Sequence, residues 1–278
     1  KEYPEPISAL QVAQDIGPRL AKAAVAARVE GVMRDLDFLI QADGSVEIIT
    51  LDQPEGLDVL RHSAAHVMAQ AVKRLYPEAK LAIGPTIENG FYYDFDVPES
   101  FSAEDVASIE AEMQKIVKED QEFVHWELGK EAAIGEFRSR GEKYKVELLE
   151  DMADEKVSLY RQGELVDLCR GPHLPSTGRL KAFKLLNVAG AYWRGDSQRP
   201  MLQRIYGTAF ARQADLDEHL HRLEEATRRD HRRLGKELDL FSMHDEGPGF
   251  PFLHPKGMVI WRALEDFWRQ AHRHRGYQ

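Results

Sequence analysis

The stretch His62-Ser63-Ala64-Ala65-His66 places two imidazoles four residues apart at the start of an alanine-rich apolar run. A second stretch, Cys169-Arg170-Gly171-Pro172-His173, repeats the spacing with a third imidazole and the chain's single thiol. Residues four apart share a helix face, so His62 and His66 project together, in line with Gln70 and Lys73. Ala64, Val67, Met68, Ala71, Val72 and Leu75 recur at helical spacing, which predicts a helix from about Asp58 until Pro77 ends it. Leu165-Val166-Asp167-Leu168-Cys169 reads instead as a strand with Asp167 and Cys169 on one face. Gly171 and Pro172 close that strand and turn the chain, presenting His173. Three imidazoles and one thiol suit either a tetrahedral metal site or a pocket that handles water. A zinc-protease pattern needs a glutamate after the first histidine, and Ser63 stands there.

Outward from these two stretches, residues 1–58 read as a small module. A short helix ends at Gly17-Pro18, Val25–Val29 and Val46–Thr50 are strand-like, and Ala42-Asp43-Gly44-Ser45 supplies a turn. Nothing in this module resembles a catalytic group. Lys80–Asp96 reads as strands broken at Gly84-Pro85 and Asn89-Gly90, and Ser102 starts a capped amphipathic helix. Another helix is expected over Lys130–Gly141. Tyr144-Lys145-Val146-Glu147-Leu148-Leu149 alternates, and spacing alone makes Lys145 an ordinary surface lysine. Lys184–Trp193 and Gln203–Phe210 are further strands around a turn at Gly195-Asp196. One long charged helix is expected from Asp215 to about Leu238, its basic face formed by Arg228, Arg229, Arg232 and Arg233. An amphipathic helix, Met258 to about Arg273, follows a turn at Gly247-Pro248-Gly249.

With 278 residues, 43% hydrophobic and 30% charged, the chain has the balance of a globular protein of two or three domains. No apolar run approaches the roughly 20 residues of a membrane span. Lys1-Glu2-Tyr3-Pro4 does not read as a secretory signal, and a single cysteine fits a reducing cytoplasm. The net charge of −10 speaks against nucleic acid as a partner, but the charge is uneven. Residues 161–212 carry Arg161, Arg170, Arg179, Lys181, Lys184, Arg194, Arg199, Arg204 and Arg212 against only Glu164, Asp167 and Asp196. A basic surface therefore surrounds Cys169 and His173, open to a polyanionic partner.

Taken together with Asn89-Gly90-Phe91-Tyr92-Tyr93-Asp94, Val166–His173, Gly190-Ala191-Tyr192-Trp193-Arg194-Gly195-Asp196 and Gln203-Arg204-Ile205-Tyr206-Gly207-Thr208, the Arg61–His66 tract resembles the N-terminal portion of bacterial threonyl-tRNA synthetases. The resemblance runs along essentially the whole chain. The editing domain of alanyl-tRNA synthetases shares both four-residue spacings but not the tracts around them.

The resemblance implies an α+β protein. Residues 1–58 are expected to form a ubiquitin-like β-grasp (TGS) domain lacking its first strand, and 59–212 an editing domain. Residues 213–240 are expected to be a linker helix, and 241–278 the truncated start of a class II catalytic domain. It also implies that the chain hydrolyses serine wrongly attached to threonine tRNA and does not itself aminoacylate. The editing residues carried over are His62, His66, Lys145 (through Tyr-Lys-Val-Glu), Asp167, Cys169 and His173. Arg170, Arg194, Arg228, Arg229, Arg232 and Arg233 are the expected tRNA contacts. Editing is expected to need no cofactor. ATP, magnesium and zinc belong to the parent's catalytic domain, and the parent is expected to be a cytoplasmic homodimer with an anticodon-binding domain. Zinc on His62, His66, Cys169 and His173 is the lesser reading of the cluster, and a non-catalytic tRNA-binding fragment is the alternative function.

Overall fold

A computed structural model describes residues 1–277. Two compact units divide the chain, Lys1–Leu216 and a second that begins at Asp217.

In the first unit the residues before Gln53 form a small α+β module. Its Ala9–Ile16 helix opens with a reciprocal cap: Ser8 Oγ accepts from the Gln11 N–H at 3.2 Å, and Gln11 Oε1 accepts from the Ser8 N–H at 2.9 Å. Strands Val32–Arg34, Ala24–Val29 and Val46–Thr50 make an antiparallel sheet with Ala24–Val29 in the middle. A small core of Ala13, Ala24 and Leu36 holds helix and sheet together.

The helix carrying both histidines is Pro54–Leu75. It starts four residues earlier than periodicity suggests, because Pro54 occupies the first helical turn, where a missing N–H costs nothing. Its burial is not confined to one stripe: Ala65, Ala69 and Gln70 are as buried as Ala64 and Met68. Small side chains allow neighbours on several sides, since alanine lets another backbone approach closely. One neighbour is an antiparallel sheet running Ala182–Tyr192, Met201–Phe210, Gly90–Asp96 and Lys80–Leu81, with Thr86–Ile87 also paired to Gly90–Asp96. Another is the Ala103–Glu119 helix, capped by Ser102 and Asp105. The N-terminal module contributes Val25, Ala26 and Ile49 to the same core.

A second antiparallel sheet, Leu165–Leu168, Lys156–Gln162 and Val124–Gly129, is backed by helices Lys130–Ser139 and Lys143–Asp151. Phe137, Leu149, Leu159 and Val166 fill the space between them. The alternating Tyr144–Leu149 segment therefore lies in a helix, and Lys145 is 3% exposed rather than a surface lysine.

The long charged helix is two helices, Gln213–Arg228 and His231–Glu237. Asp230 interrupts it, its side chain accepting from the Arg232 N–H at 2.8 Å and so capping the second helix. The second unit adds a hairpin of Phe241–Met243 with Pro251–Leu253, then the Pro255–His274 helix. Among the described residues no helix is long and apolar enough to cross a membrane.

Candidate active site

The helix and the Cys169–His173 loop bring the four sequence-distant donors together. Cys169 Sγ lies 3.1 Å from His62 Nε2 and 3.3 Å from His173 Nε2. Ring centroids of His62 and His66 are 4.3 and 4.2 Å from that of His173. Ser63, in the position where a metalloprotease has its glutamate, ties loop to helix. Its Oγ lies 2.8 Å from Val59 O and 3.1 Å from His173 Nδ1, and it accepts from the Leu174 N–H at 2.9 Å. A hydroxyl has one hydrogen and a carbonyl only accepts. With that hydrogen on Val59 O, His173 Nδ1–H donates to Ser63, and the bare Nε2 faces the thiol.

Lys145 and Asp167 complete the constellation. Lys145 Nζ sits 2.5 Å from Asp167 Oδ1, an ion-pair contact, and donates to Tyr93 Oη at 3.0 Å. The Tyr93 hydroxyl donates to Asp167 Oδ2 at 2.6 Å, and His66 Nε2 is 3.6 Å from the same oxygen. Oδ2 thus accepts a hydrogen bond, while Oδ1 is met by the ion-pair contact alone.

Burial decides the protonation states. It pushes His62 down to about 4 and His66 to about 3, despite the opposing pull of Asp167, and His173 well below its usual range, so all three rings are neutral at pH 7. Burial pushes the Cys169 thiol up to about 12, which makes it a poor nucleophile. For Asp167, burial raises the carboxyl, but Lys145, His66 and Tyr93 together hold it below its usual value and charged.

These groups open on a cavity of about 580 Å³ whose walls include His62, His66, Tyr93, Lys145, Asp167 and Cys169. His173 is absent from those walls: it is 2% exposed and stacked on Phe123 at 4.9 Å, so it reaches the cavity only through its neighbours. Of the six expected tRNA-contacting arginines, Arg170 alone lines this cavity, with 86% of its side chain exposed. Arg194 pairs with Glu147 and Asp151. Arg228, Arg229, Arg232 and Arg233, in the second unit, pair with Glu225, Asp230 and Glu237 close by in sequence.

Sequence reading passed over Tyr93 and Ser63, both inside quoted motifs, and over Asp35, whose surroundings in the N-terminal module carry no signal. The donor types suit zinc, and one ligand atom from each of His62, His66, Cys169 and His173 lies within 4.8 Å of the others, a looser spread than the edges of roughly 3.3–3.8 Å that zinc bonds of about 2.0–2.3 Å impose.

Fold and site define an α+β protein, two segments of which match known domain families. The model described as the second additional domain of threonyl and alanyl tRNA synthetases matches residues 157–206, and the TGS domain, a β-grasp fold, matches residues 1–50. Over its whole length the chain is similar to the N-terminal portion of threonine–tRNA ligases. It is 58% identical to the ligase of Carboxydothermus hydrogenoformans and 57% identical to that of Syntrophomonas wolfei, each over 279 residues. The ligase of Desulforamulus reducens is 55% identical over the same length. All of this chain is covered in each comparison, but only 44% of the relative's length.

Proposed function

We propose that this chain is the proofreading part of a threonine–tRNA ligase, hydrolysing seryl-tRNA(Thr) and sparing threonyl-tRNA(Thr). The observation that carries the reading is the pairing of neutral imidazoles with an Asp167-braced Lys145 on one cavity wall. The need for such a site follows from size. Serine lacks one methyl of threonine, worth only about 1–3 kcal/mol in a single pocket, so a second pocket must accept serine and exclude the extra methyl.

An aminoacyl ester is already activated, so the site must deliver water and stabilise the oxyanion. His62 or His66, neutral and on the cavity wall, accepts the proton of the attacking water and returns it to the departing ribose oxygen. With pKa values of about 4 and about 3, each ring is a weak base and, once protonated, a strong acid toward that oxygen. Lys145 faces the oxygen on which negative charge develops. Asp167, in contact with Lys145 through Oδ1 and accepting from Tyr93 through Oδ2, orients Lys145. Cys169, protonated, is a wall of the pocket, and His173 holds it in place. Arg170 at the cavity wall suits the phosphates of the tRNA end. The chain is proposed to act as domains 1–58, 59–212, 213–240 and 241–278 of a cytoplasmic, homodimeric ligase. Its aminoacylation, with ATP, magnesium and zinc, is assigned to the rest of that ligase.

Deacylation of seryl- and threonyl-tRNA(Thr) by the chain is the test: the first is expected to be fast and the second near background. Equal rates would sink the specificity, and His66→Ala that binds tRNA yet still hydrolyses would sink the site. A zinc ion held by His62, His66, Cys169 and His173 would supply a Lewis acid for the water. The imidazoles and Lys145 cover that need, so purified protein is expected to contain far less than one zinc per chain and to keep its activity after chelation. Stoichiometric zinc with chelator-sensitive hydrolysis would replace this mechanism.

A further inference from the structure

The Cys169–His173 loop carries two members of the cluster, yet it lies beyond the end of its strand and lacks a sheet ladder to hold it. Ser63 ties it to the helix through His173 Nδ1 and the Leu174 N–H, and His62 bonds the Pro172 backbone; three further backbone anchors hold it. The Cys169 N–H donates to Ser158 O at 3.1 Å, and the Gly171 N–H turns back onto Sγ at 3.3 Å. The His173 N–H leaves the domain altogether: it donates to Asp35 Oδ1, in the N-terminal module, at 2.9 Å.

The other oxygen of Asp35 reaches the same place from the opposite side. Asp35 Oδ2 accepts from Tyr160 Oη at 2.5 Å, and the Tyr160 ring meets His173 edge-on at 4.5 Å. Tyr160 sits opposite Asp167 in the sheet register. Its hydroxyl lies so close to the loop that a Cβ on Gly171 would fall 1.8 Å from it, at a backbone φ of 67°. One carboxylate therefore clamps both the loop backbone and the ring packed beneath the cluster.

Asp35 is itself firmly mounted. The next residue, Leu36, is buried in the module's core, its carbonyl accepting from the Leu10 N–H at 2.8 Å. Asp35 O accepts from the Phe38 N–H at 3.2 Å, closing the turn. Among the ion pairs of the described residues, no lysine or arginine pairs with Asp35. Burial raises its carboxyl, opposed by the bonds from Tyr160 and from the His173 N–H. Burying a carboxylate with no cationic partner costs desolvation, which the two charge-assisted hydrogen bonds offset, and those bonds fix the position of what they hold.

We propose that Asp35 is a positioning residue for the hydrolytic site, through which the N-terminal module holds Cys169, His173 and hence His62 in register with Lys145. The proposal rests on the hydrolytic reading above. Displacements near 1 Å of positioned groups cost on the order of 100-fold in rate, so the module is a working part of the site and not only a docked neighbour.

The test uses the full chain with Asp35→Ala, Asp35→Asn and Tyr160→Phe, followed by seryl-tRNA(Thr) deacylation and amide hydrogen exchange over residues 169–174. Asp35→Ala is expected to lower kcat about 10- to 100-fold with KM within about twofold, and to speed exchange at His173. Asp35→Asn should restore most of the rate, because its amide oxygen still accepts from the His173 N–H. Tyr160→Phe should fall between. A folded Asp35→Ala with unchanged kcat, or an Asp35→Asn as slow as Asp35→Ala, overturns the proposal. Should Asp35→Ala not fold, Tyr160→Phe with wild-type kcat and exchange overturns it equally. If wild-type chain fails to deacylate while Asp35→Ala still speeds exchange at His173, the hydrolytic reading falls and the clamp stands; unchanged exchange removes the clamp whatever the activity.

Discussion

With Lys145 on one oxygen of Asp167 and the Tyr93 hydroxyl on the other, the carboxylate's charge is the part that matters. Asp167→Asn keeps the shape but leaves the Lys145 ammonium buried without a counter-charge. Breaking a buried pair costs about 3–5 kcal/mol, and here a drop of that size in thermal or denaturant unfolding is expected alongside loss of hydrolysis. The imidazoles set the acid side of the stability profile. Folding lowers His62 and His66 from an ordinary 6.5 to about 4 and about 3, so between those values the unfolded chain binds more protons. Stability then rises with pH across that window: it is complete above about 6.5 and lost as pH falls toward 4. Asp167, lowered by folding, acts in the same direction at more acid pH. Cys169 acts oppositely: raised from 9.0 to about 12, it withdraws stability as pH climbs above about 9. Denaturant titrations across pH should therefore show a plateau from about 6.5 to 9, with an acid limb worth on the order of a few kcal/mol. A maximum below pH 6 would contradict the neutral cluster. Much of this was legible. The spacing of His62 with His66 and of Cys169 with His173 named the cluster, while Tyr93 and Ser63 gave no sign because their roles depend on partners distant in sequence.

At the scale of elements, the Pro54–Leu75 helix shows why pattern reading locates a helix better than its surroundings. The apolar positions mark one stripe, but Ala65, Ala69 and Gln70 lie outside it and are fully buried. Alanine is small enough to read as neutral in a pattern, and here it marks the places where neighbouring elements come nearest. Ala69→Leu adds volume where none is free and is expected to destabilise by about 1–3 kcal/mol, read from the denaturation midpoint. The Lys143–Asp151 helix was the element least legible. Its short run alternates by chance over six residues, while tertiary packing of Leu149 against Phe137 and Val166 selects the helix and turns Lys145 inward. The break at Arg229-Asp230 has the opposite cause, a local one: an aspartate whose side chain caps the following turn competes with a continuous helix.

At the scale of the molecule, Lys1–Leu216 is one compact unit even though its N-terminal module has a core of its own. Val25, Ala26 and Ile49 of the module pack into the main core, Arg28 pairs with Glu55, and Arg179 donates to Ala24 O at 3.0 Å. Calorimetry of the intact chain should accordingly give a single transition for residues 1–216, and a separate, earlier melting of the module would contradict the shared core.

Residue types and their spacing were sufficient to place the histidine helix and the Cys169 strand and turn, and to carry the resemblance that implied the α+β class and points to an aminoacyl-tRNA site. Those are properties of neighbours in sequence: periodicity, capping and turn chemistry act over a few residues. Only tertiary structure decided that Lys145 is buried on Asp167, that His173 stands behind the pocket wall, and that Asp35 reaches a loop 138 residues away. Ion pairing and desolvation act through space, so which charges meet and which lose their water is settled only when the chain has closed. The His62–His66 and Cys169–His173 pairs announced a cluster of donors; burial made its imidazoles neutral, the state the proposed hydrolysis uses.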